Sequence, residues 1–149
     1  MPKLKQKLEI LVADDDEDDR SFVQDAFRSI DVNCCIHAVE DGLELMDFLE
    51  HRGRFADPSS VRPDLILLDL NMPRMDGFEV LKAIRSDDSF RLLPIVILTT
   101  SRDETSIKKC YEFGANAVVV KPVSFNDLVH ALSALKTFWF DVSELPPAT

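Results

Sequence analysis

Five side chains of this sequence stand where short apolar runs give out, and their types belong to one chemistry. The run LEILVA (8–13) leads into DDDEDD (14–19), so Asp14 and Asp15 directly follow a strand-like segment. DLILLDL (64–70) carries Asp69 near its end, LPIVILTT (93–100) carries Thr99, and AVVVKP (117–122) carries Lys121. Three carboxylates brought to one place raise each other's pKa. A hard divalent cation relieves that repulsion, and Mg2+ prefers a few carboxylates, carbonyls and waters. An ammonium pairs with a carboxylate or an incoming phosphoryl oxygen, and a hydroxyl donates to one. Such a set suits the receipt of a phosphoryl group. Asp69 is the candidate nucleophile, because an aspartate can form an aspartyl phosphate. The cation and Lys121 would neutralise the charge of the transferring group.

That chemistry requires the run ends to meet, so the elements must deliver them. Phe22, Val23, Ala26, Phe27 and Ile30 recur at helical spacing after the first strand-like run. CCIHAV (34–39) reads as a second strand, and Leu45, Met46 and Leu49 give a second helix face. RGRFADPSSVRP (52–63) is a polar loop. DLILLDL is apolar on both faces, as a central strand is. NMPRMDG (71–77) is turn-rich, and Phe78, Leu81 and Ile84 mark a third helix. Ile107, Cys110 and Tyr111 line a fourth helix with Gly114 as its stop, and Leu128, Leu132 and Leu135 mark a fifth. A tail, FWFDVSELPPAT (138–149), remains. Strands alternating with helices predict an α/β fold, a parallel sheet covered on both faces. Its ligands bind at the carboxyl ends of the strands, where the residues above stand.

Composition bounds the function. The chain has 149 residues, 46% of them hydrophobic, which fits one domain with a sizeable core. Its formal charge of -10, without a basic run, makes it a poor direct ligand for nucleic acid. The cysteines, Cys34, Cys35 and Cys110, form neither a disulfide framework nor a metal-ligand spacing, and read as reduced packing residues of a cytoplasmic protein. His37, His51 and His130 read as surface or packing residues. The basic start MPKLKQK precedes an apolar run too short for a signal peptide, and no run is long enough to span a membrane.

In order along the chain, ADDDEDD, LILLDLNMPRMDGFEVL, PIVILTTS and VVVKP resemble the receiver domain of two-component response regulators, over roughly residues 8–137. The resemblance implies a flavodoxin-like, doubly wound five-stranded parallel sheet in the order 2-1-3-4-5, with five helices. It implies phosphorylation of Asp69 by a phosphohistidine on a sensor histidine kinase. Mg2+ would be held by Asp15, Asp69 and the backbone carbonyl of Asn71, with Asp14 acting through water. Thr99 and Lys121 match the switch hydroxyl and the phosphoryl-binding lysine. The peptide between Lys121 and Pro122 would be cis. The loop before the third strand, TTS after the fourth, and the tail FWFDVSELP further resemble single-domain regulators paired with phytochromes, the red-light sensor kinases. Such a protein catalyses only its own phosphorylation and dephosphorylation.

One position departs from the family pattern. Receivers carry Tyr or Phe three residues before the lysine, and Val118 stands there instead. The expected output is through protein contacts, dimerisation or a downstream relay protein, because residues 138–149 leave no room for an effector domain. Val118, Phe138, Trp139 and Phe140 are the expected dimer surface, the alternative for the aromatics being a seal on the chain's own core. Asp16, Glu17, Asp18 and Asp19 read as a solvated first helical turn. A calcium loop starting at Asp14 fails, because Asp19 stands where Gly is required and Asp25 where Glu is required. A haloacid-dehalogenase-type enzyme needs a second acid at position 71, which is Asn. A receiver acting only as an adaptor would not need its five chemical positions intact.

Overall fold

The computed structural model describes residues 7–30, 33–57 and 61–147. The basic start and the last two residues of the tail fall largely or wholly outside that range. Period-two alternation along the strands decides the architecture. In β1 (Leu8–Ala13), β3 (Leu65–Leu68) and β4 (Ile95–Thr99), buried apolar residues stand at both odd and even positions, so each strand feeds two cores. With β2 (Cys34–Val39) and β5 (Ala117–Val120) they form a parallel sheet in the order β2-β1-β3-β4-β5. The expected order is met, and β3 lies at its centre.

Each face is closed by its own helices. Leu11, Ala13, Ile66, Leu68, Ile95 and Ile97 pack under α2 (Gly42–Glu50), α3 (Gly77–Arg85) and α4 (Glu104–Glu112). Ile10, Val12, Leu65, Leu67, Val96 and Leu98 pack under α1 (Glu17–Ile30) and α5 (Phe125–Lys136). The helices start where short polar side chains can cap them. Asp41, Asp76, Asp103 and Ser124 each accept from a backbone N–H three residues on, and Asp76 with Glu79 completes a capping box. Gly114, at φ +105°, ends α4 as expected.

The strands are shorter than their apolar runs. Asp69 and Lys121 lie just past the last paired residues, yet the ladder still anchors both. Asp69 N–H donates to Ala13 O (2.9 Å), and Lys121 N–H donates to Thr99 O (2.7 Å). Their side chains are thus held by strand hydrogen bonds while sitting at the open edge. The expected cis peptide before Pro122 is absent, since no described peptide bond is cis. An X–Pro bond prefers trans by about 0.5–1 kcal/mol, and the Lys121 anchor is made with the trans form.

The tail also departs from expectation. Helix α5 runs on as a π-helical segment, Thr137–Val142. Lys136 Nζ donates to Asp141 Oδ2 (2.8 Å), a pair at the five-residue spacing of a π turn. The widening turns Phe140 inward, where it is 3% exposed and joins Val23, Phe27 and Leu132 in the core. Trp139 and Leu145 pack partly against the same cluster. Phe140 therefore belongs to the chain's own core and not to the expected dimer surface, while Trp139 is only partly buried. Val118 is half-buried against the other core, and Phe138 alone of the four is exposed, at 53%. Among the described residues no helix is long and apolar enough to cross a membrane.

Two substitutions separate these roles. Phe140→Ala removes a buried ring and should destabilise the fold by about 3–5 kcal/mol. Phe138→Ala should cost under about 1 kcal/mol, because its ring is half in water. Urea unfolding of both variants checks this; equal losses would refute the assignment of Phe140 to the core.

Candidate functional site

Four of the five residues read from the sequence come together at the carboxyl edge of the sheet, and Thr99 ends β4 at the same edge. Carboxylate oxygens of Asp14, Asp15 and Asp69 lie within 4.8 Å of one another. Asp14 is 3% exposed and Asp69 8%, whereas Asp15 faces solvent. Asp14 Oδ1 accepts from Asp16 N–H (3.0 Å), which turns the chain from β1 into α1. Arg20 adds a bond to the Asp14 carbonyl (2.7 Å). Lys121 Nζ donates to Asp14 Oδ2 (2.6 Å) and stands 3.8 Å from Asp69 Oδ1.

The acidic run contributes one residue more than the sequence reading assigned. Lys121 Nζ also donates to Asp19 Oδ2 (2.9 Å). Asp19 is thus bound to the site, while Asp16, Glu17 and Asp18 are exposed. Asp16 caps α1 by accepting from Asp18 and Asp19 N–H (2.8 and 3.2 Å). The missed signal is geometric. Asp14 and Asp19 flank the strand-to-helix turn, and the N-terminal turn of α1 lies over the strand end.

Electrostatics show what the site lacks. Burial, foremost, pushes the Asp69 carboxyl up to about 6; Lys121 pulls it down, while Asp14 and Asp15 push it further up. Burial alone would lower the Lys121 ammonium, but its bonds to Asp14 and Asp19 hold it above the usual lysine range. Three carboxylates, those of Asp14, Asp19 and Asp69, lie within 3.8 Å of the one ammonium, and Asp15 stands beside them, so the edge is short of positive charge. An all-oxygen donor set short of positive charge fits a hard dication such as Mg2+.

The loop after Asp69 is held rigidly. Gly77 N–H donates to Leu70 O (2.9 Å), and a Cβ on Gly77 would lie 2.6 Å from Asp69 O. Gly42 N–H donates to Met75 O (3.1 Å), and a side chain there would collide with that carbonyl. Arg74 sits at φ 66° at the centre of a three-residue turn closed by Met75 N–H and Pro73 O (2.7 Å). Its guanidinium offsets that strain by pairing with buried Asp41 at 2.7 Å. Asn71, two residues past Asp69, lies exposed in this loop. Thr99 is fully buried, and its Oγ1 accepts from Ser101 N–H (3.1 Å), leaving the hydroxyl hydrogen to donate.

Val118, at the departing position, donates its edge N–H to the Tyr111 hydroxyl of α4 (3.2 Å). An exposed aromatic from the neighbouring helix thus borders the strand that lacks its own ring.

Known proteins resemble this chain in sequence and fold. Residues 10–133 match the model of the response regulator receiver domain. Response regulator Rcp1 of Synechocystis sp. is 34% identical over 139 residues, which cover 93% of each chain. The crystal structure of its Mn2+-bound form superposes with a TM-score of 0.83, covering 94% of this chain and 99% of that one at 34% identity. The response regulator RPA3017 in red light signaling of R. palustris gives 0.89, at 35% identity over 95% of this chain and 99% of that one. The phosphorylated cyanobacterial phytochrome response regulator RcpA gives 0.86, with the same identity and coverage. A buried aspartate at a strand end, beside two acids and an ammonium on a 2-1-3-4-5 sheet, thus has its sequence counterpart, and the chain belongs to the response regulator receiver domain family.

Proposed function

We propose that this chain is a phosphoryl-accepting switch, in which Asp69 takes a phosphoryl group from a phosphohistidine of a sensor histidine kinase. The observation that carries the reading is the Asp69 carboxylate, 8% exposed at the sheet edge and 3.8 Å from the Lys121 ammonium. The donor's N–P bond breaks as the bond from Asp69 Oδ to phosphorus forms, and the released imidazole keeps its electron pair and takes up a proton from water. Asp15, Asp69 and the Asn71 carbonyl would hold Mg2+, with Asp14 acting through water. Bound there, Mg2+ supplies positive charge to the phosphoryl oxygens. Lys121 is close enough to follow the new dianion, and Thr99 has its hydroxyl hydrogen to give.

Likeness to Rcp1, RcpA and RPA3017 supports a phytochrome as the kinase. Free thiols at Cys34, Cys35 and Cys110 suit the cytoplasm, where such kinases act. We read residues 8–137 as the receiver and residues 138–149 as its tail. The signal leaves by protein contacts, toward a relay protein or a second copy of this chain. Phe138 and Val142, 53% and 68% exposed, supply an apolar spot for the second copy at the end of α5. Movement of Thr99 reaches that region through β5 and α5, with Tyr111 beside Val118.

Three outcomes test this. Asp69→Asn should abolish Mg2+-dependent labelling by acetyl phosphate, because an amide is not a nucleophile; undiminished label would sink the reading. Asp15→Asn should weaken Mg2+ binding about tenfold or more, the effect of losing one charged ligand. Unchanged Mg2+ affinity in a calorimetric titration would remove Asp15 from the ligand set. A buried phenyl ring contributes about 1.5–3 kcal/mol. Phe138→Ala should therefore shift any monomer–dimer equilibrium toward monomer by tenfold or more in sedimentation. A wild-type protein monomeric with and without a phosphoryl mimic would dismiss the dimer.

A further inference from the structure

A second cluster of metal-ligating side chains lies away from the phosphoryl site. Glu9 and Cys35 are direct partners in the parallel register of β1 and β2, and His37 follows opposite Leu11. Two-residue periodicity places all three on one face of the sheet, the face covered by α2. There the Phe48 ring lies 5.2 Å from that of His37. A carboxylate oxygen of Glu9, Cys35 Sγ and a ring nitrogen of His37 all lie within 4.8 Å of one another.

Two observations point to a ligand. Glu9 Oε2 is buried and accepts no hydrogen bond from any described residue, in a residue only 8% exposed. A carboxylate oxygen removed from water needs a donor or a cation. The other oxygen, Oε1, lies 3.4 Å from His37 Nε2. That is long for a hydrogen bond. It matches two ligands of one tetrahedral ion, which stand roughly 3.3–3.8 Å apart when their bonds are about 2.0–2.3 Å. The Asp64 carboxylate, on Glu9 N–H at 2.9 Å, adds negative charge nearby.

We propose that Glu9, Cys35 and His37 form a binding site for a transition-metal dication of the Zn2+ type. Glu9 gives an oxygen, Cys35 its thiolate and His37 a ring nitrogen, and the thiol proton leaves to solvent as the S–metal bond forms. One sulfur, one nitrogen and one oxygen select Zn2+ or Co2+ over Mg2+, whose preferred ligands are all oxygen. The His37 side chain is 29% exposed, so the ion has a way in and water can fill the fourth position. Glu9 lies five residues before Asp14, about 16 Å along the strand, so the two sites are separate. The ion would bridge β1 to β2, an edge strand that pairs with β1 alone.

The other cysteines serve as controls. Cys34 alternates to the opposite face, and burial there pushes its thiol up to about 11. Cys110 is fully buried in α4. Co2+ is titrated into the full chain at saturating Mg2+, and the thiolate-to-cobalt charge-transfer absorption is read. One equivalent should saturate the band and Zn2+ should remove it. Cys35→Ser should abolish the band, His37→Ala should weaken Co2+ binding at least tenfold, and Cys34→Ser should leave it intact. No band in the wild-type protein at millimolar Co2+ overturns the site, whatever the variants do. A band that survives Cys35→Ser also overturns it.

Discussion

One ammonium holds the working edge of this sheet together. Lys121 leaves the end of β5, yet its Nζ is bonded to Asp14 at the end of β1 and to Asp19 on α1, at 2.6 and 2.9 Å. Strands β3 and β4 lie between β1 and β5. The side chain therefore ties residues that the ladder does not join. Removing one partner of a buried charge pair leaves the other uncompensated, at a cost of about 3–5 kcal/mol. The edge is consequently a structural joint as well as the candidate site. The charges fall short of balance by construction: burial raises Asp69, and Lys121, already shared between two other carboxylates, only partly offsets it.

Around that joint, close backbone approach replaces side-chain bulk. The loop leaving Asp69 crosses the starts of α2 and α3 at distances that leave no room for a Cβ at Gly42 or Gly77. Asp41 serves twice there: Oδ1 caps α2 through Glu44 N–H, and Oδ2 holds Arg74 in its positive-φ turn. A single buried carboxylate thus fixes both a helix start and the loop that follows Asp69. Rigid placement of this kind is what phosphoryl transfer asks of a protein, since the reaction needs positioning and charge more than covalent help.

What the sequence made legible follows from periodicity. Runs apolar on both faces could only be central strands between two helical layers, and that alone brought Asp14, Asp15, Asp69, Thr99 and Lys121 to one edge. Asp19 was not legible, because its role depends on where the first turn of α1 lies relative to Lys121, a hundred residues away in sequence. The tail was ambiguous for a related reason. Phe138, Trp139 and Phe140 are consecutive aromatics, and no pattern tells which ring turns inward until the helix widens to a π turn. The trans peptide at Pro122 is a choice of tertiary context that the dipeptide does not reveal. Cys35 and His37 have the spacing of one strand face, but their partner Glu9 appears only once the register of β1 on β2 is known.

Strand β1 shows the underlying rule most clearly. It is flanked by β2 and β3 and covered by helices on both faces, yet it carries Glu9 near one end and is followed by Asp14 at the other. Acids survive in such a strand only where a cation can reach them. For Asp14 the chain supplies that cation itself, through Lys121. For Glu9 it supplies only the side of an imidazole, at a distance that leaves one oxygen unsatisfied. The two ends therefore differ in kind. The carboxyl end has an internal cation and a charge deficit that hard oxygen-bound ions can fill. The amino end has sulfur and nitrogen beside its carboxylate, and an ion there would answer to softer ligands and to a different supply. A strand built this way can carry two independent demands for positive charge without either disturbing the apolar residues between them.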